Sequence, residues 1–441
     1  MAENMNKRNL VVTFTHTNYC LHSSGTEKFV RDYLQQLNYC GYNNLVFFPI
    51  DPRNSETTKL TGVIMNDCFI GLYKYEHIFK IINNVVNIND LDLKFINIQH
   101  LKNQNLKELK RIIEQTKIPV NLFIHDFYSL CSNFRMIDSN GEACGATCPG
   151  TIKCSECAEM ERGISHYKKI NCFYESIAEY VDRVIVPSKF VEKSMLQAFP
   201  EFMNKIYVRP HLTLSGCYKR EQLKDNEKIK VAYIGAQIKD KGYLDWKIIV
   251  DELKNSDLYE FYYFGFGTER IDNVRNIYVA GSKQKKRMDD YLKEYNIDCA
   301  FLWSHCPETY SYVYFELSTA GVYVITNNYS GNIAEQVAKN GNGRVYNSMN
   351  ELLNTMSVGK GLRNEINSYR KEMIYAPDNY FPNKELCIPK ASISDNGSIS
   401  TKTMYDVSMR KVLTILYCLK HKLINKGESS LVYKGVKGLS I

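Results

Sequence analysis

The chain has 441 residues, 44% hydrophobic and 24% charged, an ordinary balance for a water-soluble globular protein with room for two cores. Its 56 Lys and Arg against 48 Asp and Glu leave a formal charge of +8, a mild basic excess that suits an anionic ligand or membrane surface. The excess is too dispersed for reading nucleic acid, and no run of about 18 apolar residues marks a transmembrane helix.

The opening MAENMNKRNL lacks the apolar core of a signal peptide, so the expected location is the cytoplasm. Asn9–Phe14 reads as a first strand, followed by a loop and a helix over Glu27–Cys40 with Phe29, Val30, Tyr33, Leu34 and Leu37 at helical spacing. Gly41 ends the helix and Leu45–Phe48 is the next strand, the start of a doubly wound sheet. Ser24-Gly25-Thr26-Glu27 stands where loop becomes helix, which suits either an anion at the helix N-terminus or plain capping. Asp90-Leu91-Asp92 lies in a polar connector without the flanking strand of a metal–diphosphate site, and is not read as one. Phe95–Gln99 and Val120–Ile124 are further strands, with a helix over Leu106–Glu114 between them.

His125-Asp126-Phe127-Tyr128 follows at a strand tip, where side chains face a ligand cleft. Next come Cys144, Cys148, Cys154 and Cys157, the last two as Cys-x2-Cys, with Gly141, Gly145, Pro149 and Gly150 supplying tight turns. Fourteen Cys in a chain without a leader argue against a disulfide framework. These four thiols suit a closed structural zinc site, with free thiols or disulfides as the alternatives. Four Cys ligands would leave no open position, which argues against a catalytic zinc. A helix over Ser165–Tyr180, a strand over Arg183–Pro187, a helix capped by Ser188 and a short strand over Ile206–Val208 complete this half.

Residues 213–228 are polar and read as a linker between a domain over 1–212, with the Cys insertion at about 131–160, and a second over 229–375. Ile229–Ile234 is a strand, Gly235 follows it, and Lys239-Asp240-Lys241-Gly242 leads into a helix over Tyr243–Leu253, an arrangement suited to phosphate. Gly265-Phe266-Gly267 after the strand Glu260–Phe264 lacks a third Gly, so dinucleotide binding is a weak inference. Asn276–Ala280 is a strand and Arg287–Tyr295 a helix. Ala300–Glu335 then reads as strand, loop, helix, strand and loop, with Glu308 beyond the first strand, Glu316 on the helix and Gly321 as its C-cap. Two carboxylates with backbone N–H groups between them suit a ligand with many hydroxyls and a phosphate. In the tail, 376–441, a helix over Tyr405–Leu423 either packs on the body or lies on an anionic membrane.

Pro307-Glu308-Thr309-Tyr310-Ser311, Glu316 and Ala320-Gly321-Val322 resemble the donor site of retaining GT-B glycosyltransferases of the family-4-like, surface-polysaccharide group. HDFYSLCSNFRMIDSNGEACG with the Cys cluster resembles a subset of that group, and Gly25-Thr26-Glu27, Pro187–Val191 and Lys241-Gly242 resemble it at their equivalent places. The resemblance covers most of Asn9–Glu335 and implies an α/β GT-B fold, two Rossmann-like domains facing each other across a cleft. It implies transfer of a sugar from a nucleotide-sugar donor to a glycan, lipid-linked or other acceptor, with retention and with no metal required for catalysis. On that pattern Glu308 holds donor hydroxyls, Glu316 holds the ribose, and Lys241 neutralises the diphosphate. His125 lines the reacting face, and Gly25, Gly235, Gly242, Thr309, Tyr310, Ser311 and Tyr312 border the donor.

The sequence departs from the family at Ser24, Thr309 and Ser311, and above all at Ala236, where an Arg often stands. Arg209 and Lys239 are the substitutes considered for that missing charge, and the sequence selects neither. A GT-B-shaped sugar-nucleotide epimerase and a non-catalytic module of a glycan-assembly complex are the other readings.

Overall fold

Arg8–Phe14 forms a strand because RNLVVTF is built around the apolar run Leu10-Val11-Val12, with β-branched Val11 and Val12, and all but its first residue are buried. Leu10, Val12 and Phe14 point into one core and Val11 into another, so both faces of the sheet are covered. The computed structural model describes residues 7–22, 24–50, 59–139, 141–144, 154, 157, 160–279, 286–358, 360–375, 380–382, 399–400 and 410–421.

The first sheet contains β1 (Arg8–Phe14), β2 (Tyr42–Pro49), β3 (Leu60–Met65), β4 (Cys68–Lys74), β5 (Leu91–Ile98), β6 (Val120–Phe123), β7 (Val181–Val186) and β8 (Ile206–Val208), in the order β4-β3-β2-β1-β5-β6-β7-β8. The six strands from β2 to β8 are parallel, and β3 and β4 add an antiparallel hairpin. Chain order reverses at β1, which has β2 on one side and β5 on the other. That switch point opens a crevice at the carboxyl ends of the strands.

After β9 (Leu212–Leu214) the second sheet contains β10 (Ile229–Ile234), β11 (Tyr259–Gly265), β12 (Val274–Tyr278), β13 (Cys299–Phe301), β14 (Tyr323–Asn327) and β15 (Gly343–Tyr346). It is parallel throughout, in the order β12-β11-β10-β13-β14-β15, with its own switch point at β10 and a core on each face. β16 (Tyr380–Pro382) returns to pair with β9. The stretch 213–228 connects the sheets and is polar in composition, yet it is packed. Leu223 joins the second core, and buried Arg220 donates to the carbonyls of Ala320 and Leu292 and to Asn296.

Asp90 and Asp92 pair with Lys7 and Lys94, and Asp92 lies within β5 rather than in a connector. In the tail, helix Lys411–Lys420 packs against β4. The Leu72 amide donates to Thr414 Oγ1, and the Tyr417 ring lies 5.2 Å from Phe69. This covers an edge strand that would otherwise offer free backbone groups. The rest of the expected tail helix, and the Ser-rich stretch over 393–398, lie outside the described residues. Among the described residues no helix is long and apolar enough to cross a membrane.

Candidate donor site in the cleft

The tips of β1, β5 and β6 are neighbours in the sheet, and each carries a histidine two residues beyond its last strand residue: His16, His100 and His125. The His16 and His100 rings lie 4.5 Å apart, and His211 sits 5.8 Å from His125. Burial pushes His125 down to about 3, with His100 adding to the effect, so this ring is neutral at ordinary pH. Its Nε2 lies 2.9 Å from Gln99 Oε1, while Nδ1 has no partner among the described residues. Asp126 accepts from the Tyr128 amide, capping a short helical turn, and its other oxygen lies 3.0 Å from His100 Nε2. Burial would raise the Asp126 carboxyl, but His100 and these hydrogen bonds outweigh it and hold the group below its usual range. His16 pairs with Glu27 at 3.3 Å, and Glu27 also accepts from Thr17 and Ser24.

Across the cleft, the chain leaves β10 at Gly235, makes a turn over Lys239–Lys241 and enters helix Tyr243–Leu253. Gly242 joins the two at φ +78, and a Cβ there would lie 2.1 Å from the Trp303 carbonyl oxygen, so only glycine fits. Glu308 bridges to Gly331, and helix Tyr312–Thr319 starts at Ser311, whose side chain accepts from the Tyr314 amide. The Lys241 ammonium and the Glu308 carboxylate form an ion pair, with Ser304 Oγ donating to the same carboxylate at 3.2 Å. Burial alone would lower the Lys241 pKa, but Glu308 and Cys306 outweigh it and the group is raised. Lys241 is 41% exposed and Glu308 16%, so the pair faces open space from the lysine side.

A cavity of about 350 Å³ lies between the two halves. It brings together Gly25, His125, Lys241, Glu308, Thr309, Tyr310 and Tyr312 from the sequence-derived set. Gly235, Gly242, Ser311 and Glu316 are not on its wall. Two larger open grooves, of about 910 and 960 Å³, lie at the β4 edge and beside β9, away from the strand tips that face each other. Thr309 spans the cleft: its hydroxyl donates to the His125 carbonyl at 2.6 Å and its own carbonyl accepts from Ser188 at 3.0 Å. Lys28 lies 4.3 Å from the Tyr312 ring centroid, a further contact between the two halves. Sequence reasoning did not single out His16, His100, His211, Glu27 or Arg135; for His16 and His100 their place just past an apolar strand was the available signal, and the other three had none.

Glu316 lies on helix Tyr312–Thr319, off the cavity wall. Burial, only partly offset by Lys28, pushes its carboxyl from 4.5 up to about 7, with Asp289 adding to the rise. A raised carboxyl pKa means that folding is penalised as pH climbs from the unfolded value through the folded one, and the penalty is complete above it. Glu316→Gln is therefore expected to stabilise the protein by up to about 3 kcal/mol at pH 8 and to have little effect near pH 4. Urea unfolding at the two pH values reads this directly, and a difference that does not change with pH refutes it.

Of the four clustered cysteines, Cys148 lies outside the described residues. The Cys144 thiol is pushed up to about 12 by burial and by Cys157, Asp138, Cys154 and Cys131 nearby. Cys131 thus joins the same neighbourhood. Among the described residues no set of three or more His, Cys, Asp or Glu is arranged to hold a metal ion.

Two doubly wound, mainly parallel domains with a cleft between their switch points define the fold class: α/β, of the GT-B type. Among solved structures the chain is similar to a glycosyltransferase from Rickettsia africae, at 11% identity over 96% of this chain and 100% of that one, with a TM-score of 0.51. It is also similar to the GtfA/B complex (9% identity, 82% and 95% covered, TM-score 0.51) and to the apo lipopolysaccharide outer core galactosyltransferase WaaB (9%, 82% and 94%, 0.50). At these identities the likeness establishes the fold. No protein-family model matches the sequence, and no curated protein does.

Proposed function

We propose that the protein is a glycosyltransferase that moves a sugar from a nucleotide-sugar donor to a glycan or lipid-linked acceptor, with retention, in surface-polysaccharide or glycoconjugate synthesis. The observation that carries this reading is the Lys241–Glu308 pair on the wall of the cavity that His125 also lines. A lysine and a carboxylate side by side give a donor two handles, one for a diphosphate and one for sugar hydroxyls. Neutral His125 borders the same cavity. The fold held in common with proteins named as glycosyltransferases supports the reading. Incubating the protein with a panel of nucleotide sugars and a lipid-linked glycan acceptor, followed by mass spectrometry, tests it. Transfer is the expected result. Conversion of donor without acceptor identifies an epimerase instead, and no reaction with any donor overturns the proposal.

In this reading Glu316 accepts from the ribose hydroxyls. Diphosphate stabilisation comes from Lys241 and from the helix N-termini at Gly25 and Gly242. No metal is invoked for the chemistry. The leaving diphosphate oxygen takes the acceptor proton on the same face, and the protein supplies positioning and charge. The domains work as 1–212 on the acceptor side and 229–375 on the donor side. A cytoplasmic enzyme with peripheral contact at the inner membrane face suits the basic excess of the chain.

For the Cys cluster we propose a structural zinc held by Cys144, Cys148, Cys154 and Cys157. The soft sulfur donor set of the four residues suits zinc. Elemental analysis is expected to find about one zinc per chain, and Cys154→Ser to lose metal and stability together. Metal-free protein of full stability removes the zinc.

A further inference from the structure

The family-like donor site lacks one cation, because Ala236 stands where an Arg is usual, and neither sequence-derived substitute is on the cavity wall. Arg209 donates to the carbonyl of its neighbour Val208. Lys239 is turned toward the hairpin around Gly141, where a Cβ would fall 2.6 Å from the lysine Nζ. Among the described wall residues the cations are Lys241 and Arg135, against the carboxylates of Asp126, Asp240 and Glu308. We propose that Arg135, reaching from the opposite domain, is the second cation of the diphosphate site.

Arg135 stands on the segment that leaves the β6 tip, just before a hairpin closed by the Ile137–Ala143 bridge and by the Cys144 amide donating to the Met136 carbonyl at 2.8 Å. Its Nη1 reaches 2.5 Å from Asp240 Oδ2, on the residue next to Lys241, and half of its side chain remains exposed. Both wall cations are thus held by a carboxylate of the donor-side domain. A diphosphate needs both, since three carboxylates face two cations here. Sugar hydroxyls drawing on Glu308 would release Lys241, and the diphosphate would draw Arg135 away from Asp240. A guanidinium suits this exchange because its fork binds a carboxylate or two phosphate oxygens with the same geometry. The inference rests on the donor-site reading above.

Calorimetric titration of the full chain with UDP, GDP and UMP separates the outcomes. Arg135→Ala is expected to weaken binding of whichever diphosphate the wild type takes by about tenfold, the scale of one charge-assisted contact, and to leave UMP within about twofold. Arg135→Lys should recover part of the loss. Asp240→Asn is expected to do the opposite of Arg135→Ala and tighten the diphosphate several-fold, since it removes the competing carboxylate. A bridge that merely ties the domains together would make Arg135→Ala and Asp240→Asn behave alike, and that result overturns the proposal. So does a folded Arg135→Ala protein that binds the diphosphate as the wild type does, in which case the donor site itself stands. Wild-type protein that binds neither UDP nor GDP, nor ADP, CDP or dTDP titrated in the same way, overturns the donor-site reading and this inference with it. If Arg135→Ala fails to fold, the direction of the Asp240→Asn shift still decides.

Discussion

Lys241→Ala is expected to lose roughly 3 kcal/mol or more of transition-state stabilisation, about two orders of magnitude in kcat/KM. A diphosphate leaving group gains negative charge as its bond to the sugar breaks, and a preorganised ammonium in a sheltered site is worth more there than in water. The ion pair adds a second cost. With Lys241 gone, the Glu308 carboxylate stays in the cavity without its partner, next to the incoming phosphates. Lys241→Arg should recover little, because a planar fork does not reproduce a compact ammonium packed against Glu308 and Cys306. Ala236→Arg should restore part of what Lys241→Ala loses. Steady-state kinetics with the donor identified by mass spectrometry reads all three. Unchanged donor affinity and turnover in Lys241→Ala would put the diphosphate elsewhere. Activity abolished by a chelator and restored by magnesium, with Lys241→Ala unaffected, would put the charge stabilisation on a metal.

Most of the fold was legible because its strands are buried on both faces. RNLVVTF and IKVAYI read as apolar runs, and the glycines and polar residues that follow mark where each run stops. The hairpin of β3 and β4 was not read. Its turn is Asn66-Asp67, both residues at positive φ, and no glycine announces it. Helix Ile78–Ile88 was also missed, since IFKIINNVVNI is rich in β-branched residues that favour strands, and its tertiary contacts with β5 decide the matter. Helices Asn332–Asn340, Met349–Ser357 and Gly361–Glu372 went unread, although Ser348 with Glu351 forms a capping pair at the start of the second.

The site was legible where one short stretch carries several of its groups, and Glu308, Thr309, Tyr310 and Tyr312 share a wall as their adjacency suggests. What crosses between domains was not legible. Nothing in the order of residues says that Arg135 meets Asp240, that the Thr309 hydroxyl reaches the His125 carbonyl, or that Glu335 accepts from the Phe190 amide at 3.0 Å. Such contacts join positions more than a hundred residues apart, and only the docking of two completed sheets creates them. The charge ledger of the cavity belongs to the same class. Lys241 was read as a free cation for phosphate, and the structure adds that Glu308 already holds it.

That pairing sharpens the expectation for Glu308. Glu308→Ala is expected to cut turnover a hundredfold or more while the fold remains intact, on the scale of losing a positioned polar group in a site. Binding and turnover should part company. In the variant the Lys241 ammonium has lost its carboxylate partner and is free for phosphate, so affinity for UDP or GDP should hold or rise. The sugar, however, loses the group that fixes its hydroxyls, and a misplaced anomeric carbon reacts slowly even when the nucleotide is bound tightly. Glu308→Gln keeps a hydrogen-bonding side chain but not the charge, and is expected to fall between the two. Calorimetry with the nucleoside diphosphate beside turnover with the intact donor measures the split. A parallel loss of diphosphate affinity and turnover would mean that Glu308 serves only to orient Lys241. A folded Glu308→Ala protein with near-normal turnover would remove Glu308 from the mechanism and leave its ion pair with Lys241 as a feature of the resting cleft alone.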